Sequence, residues 1–134
     1  MQYNEKVLNE FFNPQNVGVI KGASGKGKIV SPTDREIMKI YITVEDDVVT
    51  NAMFQTFGCV GAIACTSVAT RLMIGKTVDE ALNITTDDIL SELGGVLPEN
   101  KMHCVTLAEE TVKDAIASYE SKKKGIKRAT EDDD

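Results

Sequence analysis

The sequence predicts a single α+β domain, in which a small antiparallel sheet is packed on one side by several helices. Its 134 residues are 42% hydrophobic, which suits one ordinary globular core. Residues 37–44 alternate between apolar and polar side chains, and a turn and a second strand follow them, which predicts a hairpin. Apolar residues recur at helical spacing before and after the hairpin, so helices flank the sheet.

The first half of the chain contains one helix and the hairpin. Residues 3–12 carry apolar side chains at helical spacing, and Asn13 and Pro14 end this helix. Residues 16–31 contain four glycines and are predicted to be extended and flexible. The strand at residues 37–44 is predicted to be half-buried, because only one of its faces is apolar.

The second half is predicted to be helical. Residues 61–73 are small and apolar, which favours a buried helix. Thr77 starts the next helix with Glu80 as its capping-box partner, and Thr85 or Thr86 caps another. These helices follow the hairpin in sequence, which completes the α+β order.

A final long helix is predicted from the His103-Cys104 pair to about Tyr119. We therefore place one domain at residues 1–121. Residues 122–134 contain blocks of like charge and are predicted to be a disordered tail.

Charge and hydropathy exclude several classes of protein. The formal net charge of −6 argues against nucleic acid as a partner, because phosphate binding needs a clustered positive face. No apolar stretch approaches the roughly 18 residues of a membrane span, and the N-terminus does not resemble a signal peptide. The sequence therefore predicts a soluble cytoplasmic protein without a membrane partner.

Three cysteines and one histidine are the candidates for chemistry. Cys59 is placed where a strand ends and a helix begins, so backbone amides favour its thiolate. His103 and Cys104 are adjacent at a helix start, and imidazole and thiolate both bind iron and zinc. The alternative is that these residues are buried core groups. Cys65, inside the small-residue helix, is predicted to be core packing.

Several segments together resemble the scaffold proteins of iron–sulfur cluster assembly, the IscU/NifU-type family. Residues 57–64 (FGCVGAIA) resemble its second-cysteine motif, and residues 101–109 resemble its histidine–cysteine motif. Residues 3–18 resemble its N-terminal signature, and residues 75–81 match a further characteristic stretch. The resemblance covers about residues 3–121 and implies the IscU/NifU N-terminal fold.

The resemblance implies a scaffold or carrier rather than an enzyme. Members of the family build a [2Fe–2S] cluster from iron and from persulfide sulfur that a cysteine desulfurase delivers, and they pass the cluster to recipient apoproteins. By position, Cys59 is the second cysteine of the site, His103 the histidine and Cys104 the third cysteine. Cys104 also occupies the position of the usual persulfide acceptor.

The chain departs from the family's pattern at the first cysteine. Alignment on Met38 puts Asp34 at the cysteine position, Arg35 at a glycine and Glu36 at an aspartate. Asp34 and Glu36 are therefore candidate metal ligands that supply oxygen in place of sulfur. The alternative is that both are solvated loop charges.

The altered positions keep two other functions open. One is a sulfur-acceptor protein with a single zinc or iron ion, and the other is a degenerate member that acts as a binding or regulatory module. Residues 97–101 (LPENK) differ from the family's chaperone-binding loop at the central pair, which leaves chaperone recognition open. The sequence also leaves open whether the chain forms a homo-oligomer.

Overall fold

The structure, a computed structural model, describes residues 2–32 and 35–125 and confirms the predicted α+β domain. Three antiparallel strands form one sheet in the order β1-β2-β3. Helices α2 and α5 pack on the sheet. The elements, in chain order, are α1 (Glu5–Phe12), β1 (Gly25–Val30), β2 (Ile37–Glu45), β3 (Val48–Phe57), α2 (Val60–Met73), α3 (Val78–Leu82), α4 (Thr86–Glu92), a short 3-10 helix (Glu99–Lys101) and α5 (His103–Lys123).

Side-chain caps fix the starts of three helices. The Asn4 side chain accepts a hydrogen bond from the first turn of α1. Thr77 and Glu80 form the predicted capping box at the start of α3. Thr85 rather than Thr86 caps α4, and Asp88 is its capping-box partner. The sequence therefore contains local start signals for the two short helices.

The hairpin between β2 and β3 turns at two aspartates. Asp46 and Asp47 both have positive φ, at 50° and 66°. Positive φ at both central residues is typical of the two-residue turns whose twist matches that of the flanking strands. The predicted hairpin is therefore confirmed.

Strand β2 is buried on both faces, so the prediction of a half-buried strand is wrong. Ile40 and Ile42 are fully buried on the face that packs against the helices. Lys39 and Tyr41, on the opposite face, are only 9% and 1% exposed. Residues 19–23 line a cavity together with Tyr41, so this segment covers part of the face that the alternation assigns to solvent.

The edge strand β1 corrects the prediction of a flexible segment at residues 16–31. Its glycines allow α5 to approach closely. A Cβ on Gly25 would lie 2.5 Å from the carbonyl oxygen of Ala115, and one on Gly27 would overlap the carbonyl oxygen of Thr111. The glycines therefore mark a helix-packing surface, and not a flexible loop.

Helix α5 also hydrogen-bonds to β1 through side chains. The backbone N–H of Lys26 donates to Ser118 Oγ at 3.0 Å, and that of Lys28 donates to Asp114 Oδ2 at 2.9 Å. Because β1 lies at the edge of the sheet that residues 2–32 and 35–125 form, these bonds satisfy strand amides that no strand of this part of the chain pairs with.

Helix α5 ends at Lys123, so the first two residues of the predicted tail belong to the helix. The predicted disorder of residues 126–134 lies outside the described residues and stays a prediction. Within residues 2–32 and 35–125, no helix is long and apolar enough to cross a lipid bilayer.

Candidate metal centre

Three element boundaries meet at one end of the domain and bring the predicted site residues together. Cys59 is the N-cap of α2 and lies two residues after the end of β3. His103 and Cys104 are the first two residues of α5, and Glu36 directly precedes β2. These residues are far apart in sequence, so the fold itself assembles the site.

The donor atoms lie within a few ångströms of one another. Cys59 Sγ is 3.8 Å from Cys104 Sγ, and Cys104 Sγ is 3.7 Å from His103 Nε2. His103 Nε2 lies 2.9 Å from Glu36 Oε1. One ligand atom each from Glu36, Cys59 and Cys104 can be chosen so that all lie within 4.8 Å of one another. The arrangement can therefore present two sulfurs, one carboxylate and one imidazole.

The Glu36 carboxylate contacts both Cys59 and His103 and so connects two segments of the site. It is 5% exposed, its Oε2 accepts a hydrogen bond from the Cys59 backbone N–H at 3.1 Å, and its Oε1 lies against His103. Burial raises the pKa of Glu36, but the hydrogen bonds with Cys59 and His103 outweigh burial and lower the pKa overall. A Cβ on Gly58 would lie 3.1 Å from the Glu36 side chain, so the glycine leaves room for the carboxylate.

The two site cysteines differ in acidity. A hydrogen bond with Cys104 lowers the pKa of Cys59 to about 6, against the opposing effect of burial. The same bond, together with burial, raises the pKa of Cys104, which is fully buried. In this geometry Cys59 is therefore the more acidic of the two thiols.

Tyr3 also lies at the site, next to Cys59, although its residue type did not predict this position. Its ring lies beside the start of α2, where a Cβ on Gly61 would be 3.4 Å from it. Burial and the hydrogen bond with Cys59 raise the pKa of Tyr3 to about 12. A tyrosine near the N-terminus carries no metal-binding signal, and only its place in the N-terminal motif pointed to it.

The altered segment before β2 is described only in part. Asp34 lies outside the described residues, so its predicted role as a ligand stays a prediction. Arg35 has φ of 55°, in the left-handed region that favours glycine. The resembled family has a glycine at this position, and here an arginine adopts a backbone conformation that favours glycine.

Cys65 lies apart from the site. It is fully buried in the core face of α2, and burial raises the pKa of its thiol. This agrees with the predicted role in core packing.

The donor set suits iron or zinc. Thiolate and imidazole are ligands that both metals accept, and a carboxylate can complete the coordination. Two thiolates bound at about 2.3 Å to one tetrahedral ion lie about 3.8 Å apart. The separation of the Cys59 and Cys104 sulfurs is 3.8 Å, so both can bind one metal ion without a large movement.

The family model of the NifU-like N terminal domain matches residues 2–125. The chain belongs to this family. This confirms the resemblance on which the predicted fold and site were aligned. The NifU-like N terminal domain of a Brucella abortus protein described as nitrogen-fixing and NifU-like superimposes on this one with a TM-score of 0.75. The match is 21% identical and covers 89% of this chain and 94% of that one, and it shows the shared fold.

Curated relatives of this NifU-like domain carry the name of iron–sulfur cluster assembly scaffold proteins. IscU 1 of Archaeoglobus fulgidus is 47% identical over 117 residues, which cover 87% of this chain and 76% of the relative. IscU of Escherichia coli K12 is 42% identical over 127 residues, which cover 92% and 98% of the two chains. These names denote scaffolds and not enzymes, in agreement with the predicted non-enzymatic role.

Proposed function

We propose that this NifU-like domain is a scaffold on which a [2Fe–2S] cluster is assembled before transfer to other proteins. The observation that carries the proposal is the convergence of Cys59, Cys104, His103 and Glu36 at one end of the fold. The names of relatives at 42–47% identity support the same activity. The cluster is here a cargo that the protein binds transiently.

The proposal includes the source and the destination of the cluster. A cysteine desulfurase supplies sulfur as a persulfide, and recipient apoproteins accept the finished cluster. These partners rest on the family resemblance of the sequence, and a cytoplasmic location is proposed with them.

Cys104 is the proposed sulfur acceptor, with Cys59 as the competing thiol. Cys104 is buried, whereas Cys59 is half-buried and has the lowered pKa. Because the two sulfurs share one hydrogen bond, they titrate as a pair, and transfer of the proton to Cys59 would make Cys104 the thiolate. Sulfur acceptance at Cys104 therefore also requires that the start of α5 open to the incoming persulfide.

Anaerobic reconstitution with a cysteine desulfurase, cysteine and ferrous iron tests the scaffold role. We expect equal amounts of iron and acid-labile sulfide, with a visible absorption spectrum that Cys59→Ser and Cys104→Ser lose. Cys65→Ser is the matched control and should retain the spectrum, because Cys65 lies in the core. Loss of the spectrum in all three variants to the same degree would contradict the assigned site.

Mass spectrometry of the protein after incubation with the desulfurase and cysteine tests the sulfur acceptor. We expect a persulfide that survives in Cys65→Ser and disappears in Cys104→Ser. A persulfide that disappears only in Cys59→Ser would assign the acceptor to Cys59 instead.

Asp34 is proposed, on the evidence of its sequence position, as a carboxylate ligand beside Cys59, His103 and Cys104, in the place that Glu36 can otherwise fill. A carboxylate binds cluster iron less firmly than a thiolate does, and protonation removes it as a ligand. We therefore expect Asp34→Ala to lose the reconstituted cluster faster than the unmodified protein, and Asp34→Cys to hold it longer. Equal anaerobic lifetimes in all three proteins would show that another group completes the site.

A mononuclear zinc site in a sulfur-acceptor protein is the second candidate function. The 3.8 Å separation of the two sulfurs favours it, because this distance already suits a single tetrahedral ion. Metal analysis of anaerobically purified protein separates the candidates. One zinc without sulfide would support the sulfur acceptor, and a protein that binds neither metal nor sulfide would support a binding or regulatory module.

A further inference from the structure

The sulfur atoms of Cys59 and Cys104 touch, although the two residues lie at the starts of different helices. They are 3.8 Å apart. A disulfide bond is about 2.05 Å long, so the sulfurs would have to approach by about 1.8 Å, which small side-chain rotations can supply. The two cysteines can therefore bond to each other as well as to a metal ion.

The two cysteines differ in their access to solvent. Cys104 is fully buried, whereas Cys59 is half-buried at the N-cap of α2. His103 Nε2 and Glu36 Oε1 also lie within 4 Å of Cys104 Sγ, at 3.7 and 3.9 Å. Thiol exchange requires access to the sulfur that is attacked, so a thiol from solution reacts poorly at Cys104 while the start of α5 is closed. Cys59 is already in contact with that sulfur.

Gly61 leaves room for an additional atom beside the Cys104 sulfur. A Cβ on Gly61 would lie 3.6 Å from Cys104 Sγ and 3.4 Å from the Tyr3 side chain, which are ordinary contact distances. Because glycine has no Cβ, this space beside the sulfur is not filled by residue 61. A persulfide at Cys104 adds one sulfur atom, and the direction of Gly61 can accept it.

Sulfur that arrives as a persulfide is more oxidised than the sulfide of a cluster. The outer sulfur of the persulfide must gain an electron pair before it can leave as hydrosulfide. A thiolate that attacks the inner sulfur achieves this, because thiol exchange proceeds by displacement of one sulfur from another. A second cysteine in contact with the first can therefore provide the electrons for sulfide release.

We propose that Cys59 resolves a persulfide at Cys104 and so releases the outer sulfur as hydrosulfide. The Cys59 thiolate attacks Cys104 Sγ, a disulfide forms between the two residues, and the sulfur–sulfur bond of the persulfide breaks. The outer sulfur leaves as HS⁻, with the electron pair of the broken bond and the persulfide proton. The cysteine pair is oxidised by two electrons and the outer sulfur is reduced by two. The inference rests on the proposed function, which provides the persulfide.

The consequence is that sulfide release alternates with metal binding through both sulfurs. While the disulfide is present, neither cysteine is a thiolate, the form that binds metal. A thiol or dithiol reductant from solution then reopens the disulfide, and it attacks most readily at the half-buried Cys59 sulfur. When excess cysteine is present, the disulfide is reopened and the desulfurase can load the persulfide again.

A single-turnover reaction of the metal-free protein tests the proposal. Persulfidated desulfurase, freed of cysteine and other reductants, is mixed anaerobically with an equal amount of the protein. Monobromobimane then traps sulfide, thiols and persulfides for mass spectrometry at successive times. We expect hydrosulfide and the disulfide between Cys59 and Cys104 to appear together and in equal amounts.

Two variants and a control identify the attacking thiol. Cys59→Ser and Cys59→Ala should keep the persulfide at Cys104 and release sulfide at least about tenfold more slowly, because a thiol held in contact is lost. Circular dichroism checks that both variants fold. Cys65→Ser should react as the unmodified protein does, because Cys65 is buried in the core and lies about 9 Å further along α2.

Glutathione persulfide, used as a second sulfur donor, separates this inference from the proposed function. If only glutathione persulfide yields hydrosulfide and disulfide in equal amounts, delivery by the desulfurase fails and the resolution step stands. A persulfide that persists in the unmodified protein would overturn the resolution step and leave the scaffold role intact. Equal sulfide release by the Cys59 variants, transfer of the outer sulfur to Cys59, or a disulfide only between two chains would also overturn it. No persulfide from either donor would overturn both.

Discussion

At the scale of single residues, the contact between Cys59 and Cys104 makes two chemically identical side chains unequal. Their sulfurs lie 3.8 Å apart, and the hydrogen bond between them lowers the pKa of Cys59 to about 6 while it raises that of Cys104. The Glu36 carboxylate accepts a hydrogen bond from the backbone N–H of Cys59 and so fixes the position of that residue. In the metal-free site Cys59 is thus the more readily deprotonated of the two thiols.

The rate of Cys59 alkylation should report this inequality. In metal-free protein, we expect iodoacetamide to modify Cys59 at a rate that is maximal well above pH 6 and falls as the pH drops through about 6, because only the thiolate reacts. Cys104→Ala removes the hydrogen-bond donor, so the inflection should move up toward the ordinary value of about 8.5. Site-resolved mass spectrometry measures both profiles, and identical inflections in the two proteins would contradict the assigned cause.

Residue types and motif order were sufficient to predict that Cys59, His103 and Cys104 belong to one region. Thiolate and imidazole are both ligands for iron and zinc, but residue type alone left buried core groups as an alternative, and the match to the motifs of the family decided between them. Tyr3 could not be predicted in this way, because its role depends on which helix start the N-terminal segment packs against. The difference in acidity between the cysteines depends on a distance, and no distance can be read from a sequence.

At the scale of secondary-structure elements, the close packing of α5 on β1 depends on two missing side chains. Gly25 and Gly27 sit on alternate positions of the strand and both face the backbone of α5. The strand was not predicted, since glycine has low strand propensity and the pattern of glycine and lysine resembles a loop. The alternation of glycine and lysine in β1 can be explained only once α5 is seen to pack against the glycine face of the strand.

Gly27→Ala should destabilise the protein by about 1–3 kcal/mol, the usual cost of forcing an extra carbon into a packed interface. The added Cβ would overlap backbone atoms of α5, which cannot rotate away as a side chain can. Gly61→Ala is the control, because its Cβ would lie at ordinary van der Waals distances of 3.4 Å from Tyr3 and 3.6 Å from Cys104 Sγ, and alanine is favoured inside helix α2. Urea unfolding measures both, and an equal or lower midpoint for the control variant would contradict the explanation.

At the scale of the whole molecule, Arg71 connects three helices. From α2 it donates to Glu10 of α1 at 2.9 Å and to Glu92 of α4 at 2.6 Å. The Glu10 side chain is only 11% exposed and also accepts a hydrogen bond from the Ser67 hydroxyl. The sequence could predict each helix but not this connection, because the three residues are distant in the chain and are of common surface types.

Arg71→Ala should lower the free energy of unfolding by about 1 kcal/mol, since it leaves the mostly buried Glu10 without its cation. Lys113→Ala is the matched control, because Lys113 pairs with Glu109 within α5 at an exposed position. Such a pair is worth about 0.3–0.5 kcal/mol. Chemical denaturation at low salt measures both, and a larger loss for Lys113→Ala would refute the role given to Arg71.

The α5 side chains that accept hydrogen bonds from the outer amides of β1 also protect this edge strand from pairing with another molecule. Ser118 and Asp114 occupy strand amides that would otherwise pair with a strand of another molecule. Both belong to the last helix of the described chain, so they leave the ribosome after the whole sheet has been made. During synthesis the residues of β1 are therefore made before the helix that covers their edge, so a chain without α5 would leave these amides open to a strand of another molecule.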